Sequence, residues 1–220
     1  MNKKQSIIYL VLMMMPWVPG CRGPEKREDK SNVPASAPVL TGQPYFIDTS
    51  KSVVTWKGGM LMGTNHHTGY VYISKGTLMI QDGQLTGGRA EIDMNTIEDE
   101  SHGRDNGLVR HLKDPDFFEV NRFPVSTIEI TRTEPGNGRD IKVTGNLMIK
   151  GVTHAVSFPA RVEVKDGIVK AQSRLVIDRT QWNVRYKSGK FYDLLADQTM
   201  ADSIEFHIDI VAKKINSGSF

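Results

Sequence analysis

The chain has 220 residues, 39% of them hydrophobic and 24% charged, with a formal net charge of +3 and a single cysteine. That balance is too apolar for a disordered chain, and one cysteine builds neither a disulfide framework nor a zinc-finger spacing. Basic residues never run longer than pairs, so there is no nucleic-acid footprint and no nucleic-acid partner is expected.

Residues 1–20 read as a signal peptide. Lys3 and Lys4 supply a positive start, Ile7 to Met15 an apolar core, and Val18-Pro19-Gly20 lead to Cys21. The apolar run falls short of the about 20 residues that a spanning helix needs. A lone cysteine in an exported protein has no internal disulfide partner. Placed directly after Gly20, Cys21 resembles the lipid-modified cysteine of bacterial lipoproteins. Two or more acyl chains there would anchor the protein stably, since each buried methylene contributes about 0.8 kcal/mol.

Residues 21–44 are then the lipidated cysteine and a flexible tether, because charge, proline and small polar residues leave no face to bury. The charged stretch Glu25 to Lys30 resembles the surface-export signals that follow the lipid cysteine in bacteria of the Bacteroidetes type, and it equally reads as a solvated linker. Arg22, where aspartate would signal retention, points to the outer membrane by resemblance to known sorting. The expected location is the bacterial cell envelope, as an outer membrane lipoprotein facing the periplasm or the cell surface. Without Lys3 and Lys4 the charge is about +1, and from Tyr45 onward it is near zero.

Residues 45–214 are long enough for one domain with a sizeable core, leaving 215–220 as a tail. Strand patterns recur through SVVTWK from Ser52, GYVYISKGTLMI from Gly69 and GRAEIDM from Gly88, where Ala90, Ile92 and Met94 share a face. His102 to Phe118 is the one stretch that reads better as helix. Leu108 and Leu112 sit four apart beside Val109, as in about two or three helical turns, and Pro115 marks the exit. Ile128 and Ile130 resume the alternation.

Ile141, Val143, Leu147 and Ile149 share one face. Beyond Gly151 the even positions Val152, Val156, Phe158, Ala160, Val162 and Val164 take over, a phase switch that a hairpin or a bulge would produce. Asp166-Gly167 makes a tight turn, and Ile204, Phe206, Ile208 and Ile210 line the last strand. The class is all-β, with about eight antiparallel strands and a short helical insertion. Such strands close into a barrel around a small ligand or pack as a sandwich, and the patterning does not choose between them.

A family likeness then enters. His66-His67-Thr68-Gly69, the run from Arg104-Asp105 through His111-Leu112 to Asp116-Phe117-Phe118 and Phe123-Pro124, and Gly145-Asn146-Leu147 with Lys150-Gly151-Val152-Thr153 resemble the YceI-like family. So does Asp178-Arg179-Thr180-Gln181-Trp182-Asn183-Val184. The resemblance implies an extended, lipocalin-like antiparallel β-barrel of the bacterial envelope, non-enzymatic, holding a long polyisoprenoid or similar lipid and linked in several members to stress response. It implies no cofactor other than such a bound isoprenoid. The expected partners are that lipid and, through the anchor, a membrane; a homodimer is left open.

The rings and adaptable walls expected to line the interior and its mouth are Trp56, His66, Tyr70, Tyr72, Met94, Leu108, Leu112, Phe117, Phe118, Phe158, Trp182, Phe191 and Phe206. Leu108, Leu112, Phe117 and Phe118 are expected to cap or flank the barrel, with Arg104 and Asp105 holding the helix entrance.

Catalysis and metal binding find little footing. No serine sits in a nucleophile elbow, and His66 and His67 would need a third ligand such as His102 or His111 to hold a metal. His154, in phase with Val152 and Val156, reads as a buried histidine with a hydrogen-bond partner. Two other classes remain as alternatives: an enzyme on the same scaffold, marked by convergence of His66, His154 and an aspartate, and a surface-displayed structural module with a solid core.

Overall fold

The computed structural model describes residues 42–138 and 140–214, all within one compact unit. The expected signal peptide, Cys21, most of the tether and the 215–220 tail lie outside the described residues. The elements are β1 (Gln43–Ile47), β2 (Val53–Gly59), β3 (His66–Gln81), β4 (Gln84–Asp99), α1 (Gly107–Lys113), β5 (Val125–Pro135), β6 (Ile141–Ile149), β7 (Val152–Lys165), β8 (Ile168–Asp178) and β9 (Ser203–Lys214).

Every pairing is antiparallel, the sheet order is β1-β3-β2-β9-β8-β7-β6-β5-β4, and β3 pairing with β4 closes the ring. β1 and β2 both run against β3 and against β9. β1 pairs with Thr77 to Ile80 and β2 with His66 to Val71, so the two form one broken strand in a single position. Nine segments therefore make an eight-position barrel, the expected class, and closure removes the exposed edges that a sandwich would have to protect.

The hairpins follow local rules. Asp82-Gly83, Lys150-Gly151 and Asp166-Gly167 each place both turn residues at positive φ, the two-residue geometry whose twist matches the flanking strands. The phase switch at Gly151 is thus a hairpin rather than a bulge: Ile149 pairs directly with Val152 across it.

These turns and the two chain ends divide the barrel into two unlike ends. The far end carries Asp82-Gly83, the 136–140 turn and Asp166-Gly167, together with the start of β1 and the finish of β9. The other end, the mouth, carries the 60–65 loop, the long α1 insertion, Lys150-Gly151 and the 179–202 segment.

The helix is shorter than the periodicity predicts. It spans seven residues, and Asn106, not the Arg104–Asp105 pair, caps it, its side-chain oxygen accepting the Val109 N–H at 2.9 Å. Arg104 instead reaches Glu98 at 2.9 Å, and Asp105 receives Arg110 at 2.9 Å. The end is set by Asp114, extended at ψ 163 as a residue before proline tends to be. From Asp114 to Phe123 the chain continues in tight turns that bring Phe117 and Val120 into the core.

Candidate functional site

Inward alternation leaves a cavity of about 210 Å³ inside the barrel, lined almost wholly by carbon. That is room for about seven waters at the liquid share of about 30 Å³ each, well beyond a packing defect, so the interior is not a solid core. Its wall comes from the inward rows, among them Val54, Val71, Ile73, Ile128, Val143, Leu175 and Ile208. α1 and the turns after it close over this space with Leu108, Leu112, Phe117 and Phe118.

Of the residues expected at the site, Trp56, Met94, Leu108, Leu112, Phe117, Phe118, Phe158 and Phe206 lie on the cavity wall. The other five do not. Tyr70 and Tyr72 alternate with inward Val71 and Ile73, so they face outward, and their hydroxyls donate to Glu100 at 2.7 Å and Glu98 at 2.6 Å. His66 is exposed at the start of β3, outside the wall. Phe191 is exposed on the 179–202 segment, under the Arg185 guanidinium at 4.5 Å.

Trp182 is buried outside the cavity and closes a seam. The β7–β8 ladder stops at Ala160–Ser173, so the mouth halves of these strands do not pair with each other. The 3₁₀ turn Arg179–Trp182 lies beside β7 there: the Trp182 indole N–H donates to Leu147 O at 3.1 Å, and His154 Nε2 meets Gln181 O at 3.0 Å. His154 thus has the hydrogen-bond partner expected of it but is half-buried instead of buried, with its ring edge-on to Trp182.

The pattern reading missed Arg179, 1% exposed on the cavity wall at the mouth. Its guanidinium donates to Ala201 O at 3.0 Å and Val184 O at 2.8 Å, stands 3.6 Å from Asp202, and lies over the Phe117 ring at 5.8 Å. Burial pulls its pKa below the ordinary value, against the pull of Asp202 and Asp178. One cation therefore ties the beginning of the 179–202 segment to its end and lies against the turns that follow α1. Its signal was the Asp-Arg-Thr-Gln-Trp run, which periodicity alone does not decode.

Lys150, in the β6–β7 turn, likewise serves backbone carbonyls at the mouth, donating to Pro115 O at 2.7 Å and Phe117 O at 2.9 Å. Ser126, also missed, is an in-phase polar residue in the row of Ile128 and Ile130 and lies on the cavity wall.

The histidines separate into groups instead of converging. His67, on the cavity wall, stands 3.8 Å from the buried Asp99, and His102 is 2.8 Å from the same carboxylate. Burial raises the Asp99 pKa, but the His102 ring and the His102 and Ser101 N–H groups outweigh it, holding the carboxyl below its usual range. His111 stands 3.9 and 3.8 Å from Asp114 and Asp116, the one grouping with metal-ligand spacing among the described residues, and both carboxylates are exposed. His66 and His154 share no carboxylate among the contacts of the described residues.

Residues 45–212 match the YceI-like domain. Among curated relatives, a UPF0312 protein of Pseudomonas aeruginosa is 32% identical over 74 residues, 34% of this chain and 36% of its own length. A UPF0312 protein of Shewanella denitrificans is 25% identical over 126 residues, 53% of this chain and 64% of its own length. The chain thus spans between about a third and two thirds of these relatives.

Two solved structures share the fold. Burkholderia cenocepacia BcnA superposes with a TM-score of 0.58 at 20% identity, covering 76% of this chain and 99% of that one. A domain from Saccharophagus degradans, described as a polyisoprenoid binding domain implicated in plant cell wall breakdown, does so with a TM-score of 0.54 at 12% identity, covering 78% and 98%. The match over residues 45–212, on a closed eight-position barrel with α1 across its mouth, makes this chain a member of the YceI-like family.

Proposed function

We propose that this barrel binds or carries a long apolar or amphiphilic lipid, a polyisoprenoid foremost, and performs no chemistry on it. The observation that carries the reading is the carbon-lined cavity under an apolar cover. An enclosed wall of this kind favours chains over polar solutes, because each buried Å² of apolar surface contributes about 25 cal/mol while an unpaired polar group is penalised. The polyisoprenoid-binding description of the Saccharophagus degradans domain, which shares the fold, supports the same ligand class.

Delipidated protein titrated with geranylgeraniol should bind one chain saturably. Ala160→Phe, which projects a ring from the inner wall, should abolish that binding while the protein stays folded. Absence of saturable binding, or binding indifferent to Ala160→Phe, would overturn the reading.

We further infer that Cys21 carries the lipid anchor and that residues 22–44 tether the domain to the outer membrane of the cell envelope. The support is the leader pattern and the single cysteine. Labelled palmitate should be incorporated into the native protein and not into Cys21→Ser, which should leave the membrane fraction. Equal partitioning of both would refute the anchor.

A further inference from the structure

Among the described residues, eight large apolar side chains stand exposed, and five of them belong to two loops at the mouth. Leu61 and Met62 lie on the 60–65 loop, and Phe191, Tyr192 and Leu195 on the 187–200 loop. Leu195 at 68%, Met62 at 59% and Leu61 at 58% are the most exposed of the eight. The other three are scattered, Phe46 and Ile168 toward the far end and Val176 on the outer face of β8. Single exposed apolar residues are ordinary, whereas a concentration at one end marks a surface that something covers.

The two loops are joined at their bases. The Leu61 N–H donates to Thr199 O at 2.8 Å, the Ala201 N–H to Gly59 O at 3.0 Å, and Met60 bridges Met200. The longer loop also closes on itself, the Met200 N–H donating to Lys187 O at 2.8 Å beside the buried Ser188 and Thr199. Its neck is thus fixed while Phe191, Tyr192 and Leu195 are left to solvent. The bases are cavity wall as well, since Gly58, Gly59, Met200 and Ala201 line the interior. Loops with apolar tips therefore spring directly from the rim of the apolar cavity.

The charges around the tips cancel. Residues 60–65 carry none, and from 183 to 202 Arg185, Lys187 and Lys190 stand against Asp193, Asp197 and Asp202. Arg185 lies over the Phe191 ring, and Lys190 is paired with Asp178 and Asp202. Leucine, methionine and aromatic side chains backed by basic ones are the composition of a membrane interface. Fully covered, the five side chains would contribute on the order of 500 Å², short of the about 800 Å² per partner of a standard protein interface.

We propose that the mouth docks on a zwitterionic lipid bilayer through Leu61, Met62, Phe191, Tyr192 and Leu195, so that a chain passes between membrane and cavity without crossing water. The proposal rests on the cavity being a lipid site. Each methylene exposed to water on the way adds to the barrier, so a long chain exchanges fast only where donor and acceptor touch. The described chain begins at the far end, opposite these loops. Residues 22–42 can span at most about 70 Å, more than the about 53 Å of the 16 residues of β3, so a barrel anchored at Cys21 can still turn its mouth to the same bilayer.

The test mixes the full chain with phosphatidylcholine–phosphatidylethanolamine vesicles that carry a photoactivatable phosphatidylcholine, and maps the labelled peptides. Labels should fall on 60–65 and 187–200 and spare Phe46 and Ile168. Uptake of geranylgeraniol is then followed from the vesicles and, separately, from cyclodextrin. Met62→Asp with Leu195→Asp should slow uptake from vesicles by about tenfold or more, the scale of apolar side chains kept in water, and leave the affinity measured from cyclodextrin unchanged. Ile168→Asp should change neither. Labels confined to the far end, or vesicle uptake by the double variant within twofold of wild type, would overturn the docking surface and leave lipid binding intact. Unlabelled loops together with a dimer that the double variant dissociates would overturn it too, assigning the loops to a second copy. Geranylgeraniol bound from neither source by the folded wild type would overturn the lipid reading itself, and the transfer with it.

Discussion

The two ends of this barrel are built by different means. The far end relies on local chemistry: Asp82-Gly83 and Asp166-Gly167 each need only two residues that tolerate positive φ. The mouth is assembled largely by contacts distant in sequence, with Arg179 gripping the carbonyl at 201 as well as the nearby one at 184, and Lys150 gripping carbonyls at 115 and 117. A closed end that must only turn the chain can be written in dipeptides. An end that must cover a cavity needs cations, buried or largely so, to satisfy the irregular backbone carbonyls that a sheet would otherwise pair.

The sharpest way to break the contrast is Arg179→Ala. It strands buried carbonyls and removes a cation enclosed at the mouth, and should cost about 3–5 kcal/mol in chemical denaturation. Asp166→Ala at the far end should cost under about 1 kcal/mol, since it alters one turn position only. Equal losses would show that the mouth is no more cooperative than a hairpin.

Lys150→Ala should come next, at about 1–3 kcal/mol, because two α1-exit carbonyls lose their donor; faster amide exchange near Phe117 and Phe118 would locate the damage. Asn106→Ala should cost about 1 kcal/mol through loss of the helix cap, and Arg104→Ala less, which sharpens the assignment of the helix entrance.

Acid should produce the smallest effect and the least local one. Hydrogen bonding by Arg174 holds Glu205 at about 2, and hydrogen bonding by Lys213 does the same for Asp48. Both carboxyls sit below their ordinary values of 4.5 and 3.8, so their contribution is complete above that range and is lost as the pH falls toward 2. Both pairs are exposed and screened, so Tm should decline only modestly over this window, and Glu205→Gln should flatten part of the decline. A Tm that rises on acidification would contradict the sign.

The barrel was largely legible because inward strands advertise themselves by alternation, as in Ile141 to Ile149 and Ile204 to Ile210, and because glycine marks the turns. The site was legible only in part. In GYVYIS both parities are apolar, and ring size favoured Tyr70 and Tyr72 although Val71 and Ile73 are the inward pair. The helix was overextended because Phe117 and Phe118 continue an apolar period that Asn106 and Asp114 bound more tightly. Arg179 and Ser126 escaped for a different reason. A buried polar residue is defined by partners, or by the lack of them, and these come from distant parts of the chain.

The central claim is that the cavity is made to hold a lipid, and native mass spectrometry of the protein purified from its own cells tests it most directly. The account predicts a folded species heavier than the polypeptide by one lipid with a long apolar chain, released by organic extraction. A folded protein at the bare polypeptide mass, plus only its covalent anchor, with no lipid in the extract, would contradict it.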